Sequence, residues 1–263
     1  IIMVGLALVI WLGVMREFRL DDSFITFRYA QNLAAGRGLV YNPGDTTLST
    51  TAPLYAILLA GLSHLIPDFH FLGGLIGALS IGIGGGMFYR LATYPQTHCK
   101  SFSWKALWAA SAYTLALPLW LALGMETPLW IMLVLVAAAS TLDERQWIAG
   151  LALGLATIVR PDAALPATLM GFSLLLQTIP RLGTRKYALR PLLYFSALYL
   201  VPVVVYTGWS YLTYGSPFPV TLGAKSAQAF MGITGLGPYV TIPAGLSLIA
   251  QDLLEQSSLY IVF

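Results

Sequence analysis

Apolar runs separated by short polar turns fill most of the chain. They fall at 1–15, 53–66, 71–91, 104–123, 127–141, 147–159, 163–179, 192–212 and about 245–263. A membrane span needs about 20 apolar residues, so the pattern predicts an all-α polytopic membrane protein. The first run has the place of a signal peptide, but no small-residue cleavage site precedes Arg16, and a true span is expected. The chain opens at Ile1 and closes at Phe263 inside apolar runs, so both ends are expected to be cut through membrane segments.

Segment 53–66 decides the topology. Its 14 residues are short for a span, and runs of about 10–14 are more often interfacial or re-entrant. Loop charge provides the check, because cytoplasmic loops carry an excess of Lys and Arg. The loop 180–191 holds Arg181, Arg185, Lys186 and Arg190 and is expected inside. Counting back, Arg160-Pro161-Asp162 lies outside, Asp143-Glu144-Arg145 inside, and Gly124-Met125-Glu126-Thr127 outside. The turn with Arg90, Lys100 and Lys105 is then inside. If 53–66 stays in the outer interface, Asp21 and Asp22 share a face with Glu126 and Asp162.

Composition supports the membrane reading. Of 263 residues, 57% are hydrophobic and 10% charged, and the mean hydropathy is +0.75; soluble domains carry roughly a quarter charged residues. The pI of about 9.0 reflects a few basic residues spread over short loops, not a nucleic-acid surface. Cys99 is the single cysteine, which excludes an internal disulfide. No repeat or soluble domain is visible.

Candidate chemistry concentrates in the polar stretch after the first run. Asp21 and Asp22 open an expected helix over 22–35, with Asp21 as N-cap and Leu20 and Ile25 as a hydrophobic staple. A cap accounts for one aspartate at about 1 kcal/mol, not for two. Adjacent carboxylates repel, which can raise one pKa toward that of a useful base, or let the pair bind a cation. Charges at a membrane mouth are functional candidates by default. Arg28, Arg37, Arg160 and Lys225 are cations placed outside against the usual bias, which points to an anionic partner, unless they pair with the local acids or snorkel to headgroups. Glu126 lies in LGMETPLW, where Thr127 as a cap and the helix dipole offer a structural reading. Asn42-Pro43-Gly44-Asp45 is a turn signature. Phe24, Phe27, Tyr29, Tyr41 and Tyr55 suit an interfacial aromatic belt. Gly73, Gly77, Gly150, Gly154 and the stretch from Gly82 to Gly86 give helix faces suited to close packing. His64, His70 and His98 lack metal-ligand spacing, and phosphate-loop, dinucleotide and HExxH motifs are absent.

In chain order, the first run is followed by DDSFITFRYAQNLAAGRGLVYNPGD, STTAPLYAILLAGL, LGMETPLW, ATIVRPDAAL and YLTYGSPFPVTLGAKS. This series resembles the GT-C superfamily of polyprenyl-phosphate-sugar-dependent glycosyltransferases, and most closely the mycobacterial terminal arabinofuranosyltransferase branch. The aminoarabinose transferase and protein O-mannosyltransferase branches are more distant. LSTTAPLY departs from the Gly-aromatic-Thr-Ser/Asn-Pro-Leu pattern more frequent in that branch.

The resemblance implies a GT-C-type transmembrane helix bundle whose extracytoplasmic first loop, 16–70, forms juxtamembrane helices. Residues 1–263 would be the N-terminal part of the catalytic domain, without its C-terminal spans or any soluble domain. It implies a multi-pass protein of the bacterial plasma membrane, active on the extracytoplasmic face. The reaction implied is inverting transfer of a sugar, a pentose such as arabinofuranose favoured, from a polyprenyl-phosphate donor to a glycan, lipid or protein acceptor. Asp21 matches the catalytic carboxylate and Asp22 its neighbour; Glu126, Arg160 and Asp162 match motifs lining the same cavity. Arg160, Arg28 or Lys225 would stabilise the leaving phosphate. Some branches use a divalent metal (Mg, Mn or Ca), which Asp21, Asp22 and Glu126 could hold, and others use none. The competing expectation is a transporter or lipid flippase with acidic ion or proton sites; it calls for charges near mid-span, whereas here they cluster at the ends of the apolar runs.

Overall fold

The computed structural model describes residues 1–18, 20–45, 47–94, 102–181, 188–217 and 219. The chain divides into two units, 1–217 and 218–263, and the first carries the helices named here. Its described residues are helical, with no strand among them. Ten α-helices follow one another: α1 (Ile2–Ile10, continued by a π turn at Trp11–Met15), α2 (Asp21–Ala34), α3 (Pro53–Ser63), α4 (Phe69–Thr93), α5 (Trp104–Thr114), α6 (Leu117–Leu121), α7 (Thr127–Leu142), α8 (Gln146–Val159), α9 (Ala164–Thr178) and α10 (Arg190–Tyr214). Two of them, α4 and α10, are long and apolar enough to cross a membrane; α3, α7, α8 and the α1 segment are shorter apolar helices.

The helices run alternately between two ends of the unit. Arg90 at the end of α4 pairs with Asp143 after α7, so α4 and α7 run in parallel. A cavity of about 330 Å³ at that same end brings Tyr94, Thr141, Gln146, Thr178 and Pro191 together. The turns at Gly124–Glu126 and Arg160–Asp162, the start of α4 and the end of α10 gather at the other end. The described turns thus sort to two ends in the order that counting the runs predicts. The 245–263 run, Lys100 and most of the 180–191 loop lie outside the described residues.

Glycine sets how closely the helices approach. A Cβ on Gly150 would lie 2.9 Å from the Phe195 carbonyl carbon and 3.0 Å from its Cα, and closer still to the carbonyl oxygen. One on Gly154 would lie 2.7 Å from both the Tyr199 oxygen and the Pro202 ring. The spacing of four places both glycines on one face of α8, and α10 lies against them. On α4, Gly82 meets the Val4 backbone of α1, and Gly73 meets Phe27 and the Gly124 Cα.

The 104–123 run is broken, contrary to expectation, into α5 and α6. Pro118 is the cause: it has no N–H for the Thr114 carbonyl four residues earlier. The Trp120 indole N–H donates to that carbonyl instead, at 2.8 Å. Helix α10 carries Pro202 without breaking and ends at Gly215 in the left-handed conformation (φ +71°).

Segment 53–66 forms an 11-residue helix, α3. Eleven residues rise only about 16 Å, about half of a bilayer core. Tyr55, Leu59 and Ala60 of α3 pack with Phe27 and Ala30 of α2 and with Leu72 and Ile76 near the start of α4. Both α2 and α3 therefore stay at the Glu126 end. The segment between them is anchored by Asn32, which is fully buried. Its Nδ2 donates to the carbonyls of Val40 (2.9 Å) and Tyr41 (2.8 Å), and its Oδ1 accepts from Arg37 (3.0 Å). The expected Asn42–Asp45 turn is present: Asn42 N–H donates to the Asp45 carboxylate at 3.0 Å, and Gly44 has φ +93°.

Candidate functional site

Three motifs meet at the Glu126 end. The first is the start of α2. This helix begins at Asp21 itself, with Leu20 as N-cap and no side-chain cap, so the expected cap at Asp21 is not formed. The staple fails with it, since Ile25 is exposed. Ser23 takes the local bond instead, its hydroxyl donating to the Leu20 carbonyl at 2.6 Å. Both aspartates are exposed in the first turn, where negative charge complements the helix dipole. Among the described residues neither carboxylate makes a hydrogen bond or ion pair.

The second motif is the Gly124–Glu126 turn. Gly124 has φ +85°, which favours glycine. Space demands glycine as well: a Cβ there would sit 3.0 Å from the Ser23 Cβ and 3.4 Å from the Phe27 ring. The start of α2 thus lies directly against this turn. Glu126 occupies the N-cap position of α7 without capping it, and Thr127 does not cap either. Glu126 is only 7% exposed.

The third motif is Arg160-Pro161-Asp162. A residue before proline is pushed to extended backbone, and Arg160 has φ −150° and ψ 128°. That ends α8 and turns the guanidinium toward α7. Arg160 Nη1 lies 3.4 Å from Glu126 Oε1 and 3.3 Å from Thr127 Oγ1. Its Nε and Nη2 donate to Asp162 Oδ2 at 3.2 and 3.1 Å. Its Cζ lies 5.9 Å from the centre of the Trp130 ring, within reach of a cation–π attraction. One cation is thus shared by a buried carboxylate and an exposed one. Such a guanidinium suits bidentate recognition of an incoming oxyanion, which would compete with the exposed Asp162.

The remaining candidates lie elsewhere. Arg28 is exposed and donates to the Tyr41 carbonyl at 3.3 Å; it supports the loop. Lys225 lies outside the described residues. Among the described residues no group of three Asp, Glu, His or Cys side chains stands close enough together to hold a metal ion.

Two residues escaped the sequence reading. Of the expected interfacial aromatics, Phe24 and Tyr41 are exposed, but Phe27, Tyr29 and Tyr55 are buried. Tyr55 is fully buried, and its hydroxyl has no hydrogen-bond partner among the described residues. Burial pushes that hydroxyl well above its ordinary pKa, and the Glu126 carboxylate adds to the shift. The Trp130 indole N–H is likewise buried and has no partner among the described residues. A signal for Trp130 was present, since its spacing of four from Glu126 puts both on one helix face. Tyr55 had no such signal, because only the packing of α3 on α2 brings it inward.

No protein-family model, curated protein or solved structure matches the chain.

Proposed function

We propose that this chain belongs to a membrane glycosyltransferase that moves a sugar from a polyprenyl phosphate to an extracytoplasmic acceptor. The observation that carries the reading is the convergence of three separate motifs on one end of a helical unit with two apolar helices of spanning length. The Asp21–Asp22 pair adjoins the Glu126 turn through Ser23 and Gly124, and Glu126 is bonded to Arg160, 34 positions away. The same series of motifs carries the resemblance to the GT-C superfamily, with a polyprenyl-phosphate pentose as the favoured donor and a glycan, lipid or protein as acceptor.

In this reading Asp21 accepts the proton of an acceptor hydroxyl as its oxygen bonds to the anomeric carbon. The bond from that carbon to the phosphate oxygen breaks on the opposite face, so the configuration inverts. The polyprenyl phosphate leaves with the electron pair, and Arg160 stabilises its charge. Asp21 suits the role because its carboxylate is exposed and uncommitted. Arg160 suits its role because phosphate can take over the donors now given to Asp162, which is itself half exposed.

The test is Asp21→Asn in the full-length protein, assayed for transfer from a polyprenyl-phosphate sugar. Asn keeps the shape but cannot act as a base, so turnover is expected to fall roughly 10²–10⁴-fold with folding and donor binding retained. Asp22→Asn is expected to be milder. Near-normal turnover by Asp21→Asn removes the base and overturns the mechanism.

A further inference from the structure

Two buried donors near the Glu126–Arg160 pair have no acceptor among the described residues. Tyr55 reaches the pair through its packing cluster, which includes Phe27 and is bordered by Leu129 of α7; Phe27 also lies against Gly124. Trp130 lies beneath the Arg160 guanidinium. A buried donor left unpaired is unfavourable, and native structures carry few of them. Tyr113, Gln146 and Tyr206 also hold buried polar atoms without a partner among the described residues; Tyr55 and Trp130 are set apart by their place near one buried carboxylate and its arginine.

The chemistry of the missing partner is constrained. It must accept from a phenol O–H and an indole N–H, and it must tolerate or bond to the Glu126 carboxylate. A phosphate oxygen accepts from donors but is repelled by Glu126. A sugar hydroxyl accepts and donates at once, so it can take a bond from Tyr55 or Trp130 and give one to Glu126. An aromatic face beside polar groups also suits a sugar ring.

We infer that Tyr55, Trp130 and Glu126 form the subsite for the sugar hydroxyls of the donor, separate from the Arg160 subsite for its phosphate. This rests on the glycosyltransferase reading and names the residues that would distinguish a sugar-bearing lipid from a bare one. The donor's phosphate takes the Arg160 donors now given to Asp162, while Glu126 keeps its contact with Arg160 Nη1 and accepts from the sugar. Tyr55 and Trp130 are binding residues here and take no part in proton transfer.

The experiment measures binding of two probes to the full-length protein in nanodiscs: a polyprenyl-phosphate pentose, and the same polyprenyl phosphate without sugar. The wild type is expected to bind the sugar-bearing lipid more tightly. Tyr55→Phe and Trp130→Phe are each expected to weaken that binding roughly 3- to 10-fold, the worth of one hydrogen bond, and to leave the bare lipid unchanged. Arg160→Gln is expected to weaken both lipids. The unliganded melting temperature of Tyr55→Phe is expected not to fall, because the hydroxyl removed has no partner. Equal binding of the two lipids by the wild type, or preference retained in both aromatic variants, overturns the subsite and leaves the enzymatic reading standing. A lower melting temperature for Tyr55→Phe assigns the hydroxyl a structural role and also overturns it. Failure of the wild type to bind either lipid removes the enzymatic reading, and the subsite with it.

Discussion

Replacing Gly150 by Ala tests whether α8 and α10 are held together at backbone distance. The added Cβ meets only main-chain atoms of Phe195, its carbonyl carbon at 2.9 Å and Cα at 3.0 Å. No rotamer change can relieve a clash with backbone. Ordinary carbon–carbon contact begins near 3.5 Å, so the helices must separate by at least roughly 0.6 Å at this level, and the closer Phe195 carbonyl oxygen demands more. That shift forfeits part of the packing along the seam, and overpacking of this kind destabilises by about 1–3 kcal/mol. Ala is also the better helix former, by about 1 kcal/mol, which would mask part of the loss. Gly208→Ala removes the ambiguity, since Gly208 lies within α10 and a Cβ there meets nothing within 4 Å. The difference between the two variants isolates the clash, and is expected at about 1–3 kcal/mol against Gly150→Ala. Unfolding in mixed micelles, followed by circular dichroism across an SDS titration, measures it. Gly154→Ala added to Gly150→Ala is expected to cost less than it does alone, because the first separation makes room for the second. A Gly150→Ala protein as stable as Gly208→Ala refutes the close approach.

Two further outcomes follow from the fold. Trp120→Phe leaves the Thr114 carbonyl unpaired and is expected to destabilise by about 1–3 kcal/mol. Pro118→Ala in the same protein should recover part of this by restoring an N–H to that carbonyl, and no recovery would refute the repair. Single cysteines placed at Asn42 and Glu144, in a Cys99→Ser background, should label from opposite sides of the membrane. Labelling of both from one side would sink the arrangement that puts the long loop with Glu126.

The helices were legible because runs of apolar residues mark them directly, and proline and glycine mark most of their ends. The break within 104–123 was not, since a proline in an apolar run is compatible with either a continuing helix, as at Pro202, or a stop, as at Pro118. What decides is whether a neighbour fills the vacated carbonyl, and Trp120 does so only after the turn has formed. The Arg160–Glu126 contact was legible in part: both stood out as charges beside apolar runs, and counting the turns put them at one end. The depth of Glu126 and the orphaned donors at Tyr55 and Trp130 were hidden, because burial of a short helix depends on what lies over it. Asp21 was misread as a cap because capping residues and first-turn acids share a composition, and Ser23 supplied the competing local bond.

The alternation of the helices has a consequence for how this chain can change over evolutionary time. Each motif is carried to the Glu126 end by a helix that has just returned from the opposite end. The turn at 143–145, with Glu144 in the left-handed conformation (φ +60°), touches none of the three motifs. Surface turns of this kind tolerate insertions, so the far turns can lengthen or shorten while the distances between Asp21, Glu126 and Arg160 stay as they are. A one-residue insertion within α8 would instead rotate everything beyond it by about 100°, carrying Arg160 off Glu126 and Gly154 off α10 together. Chain length is therefore free to drift at one end of the unit and is locked in register at the other.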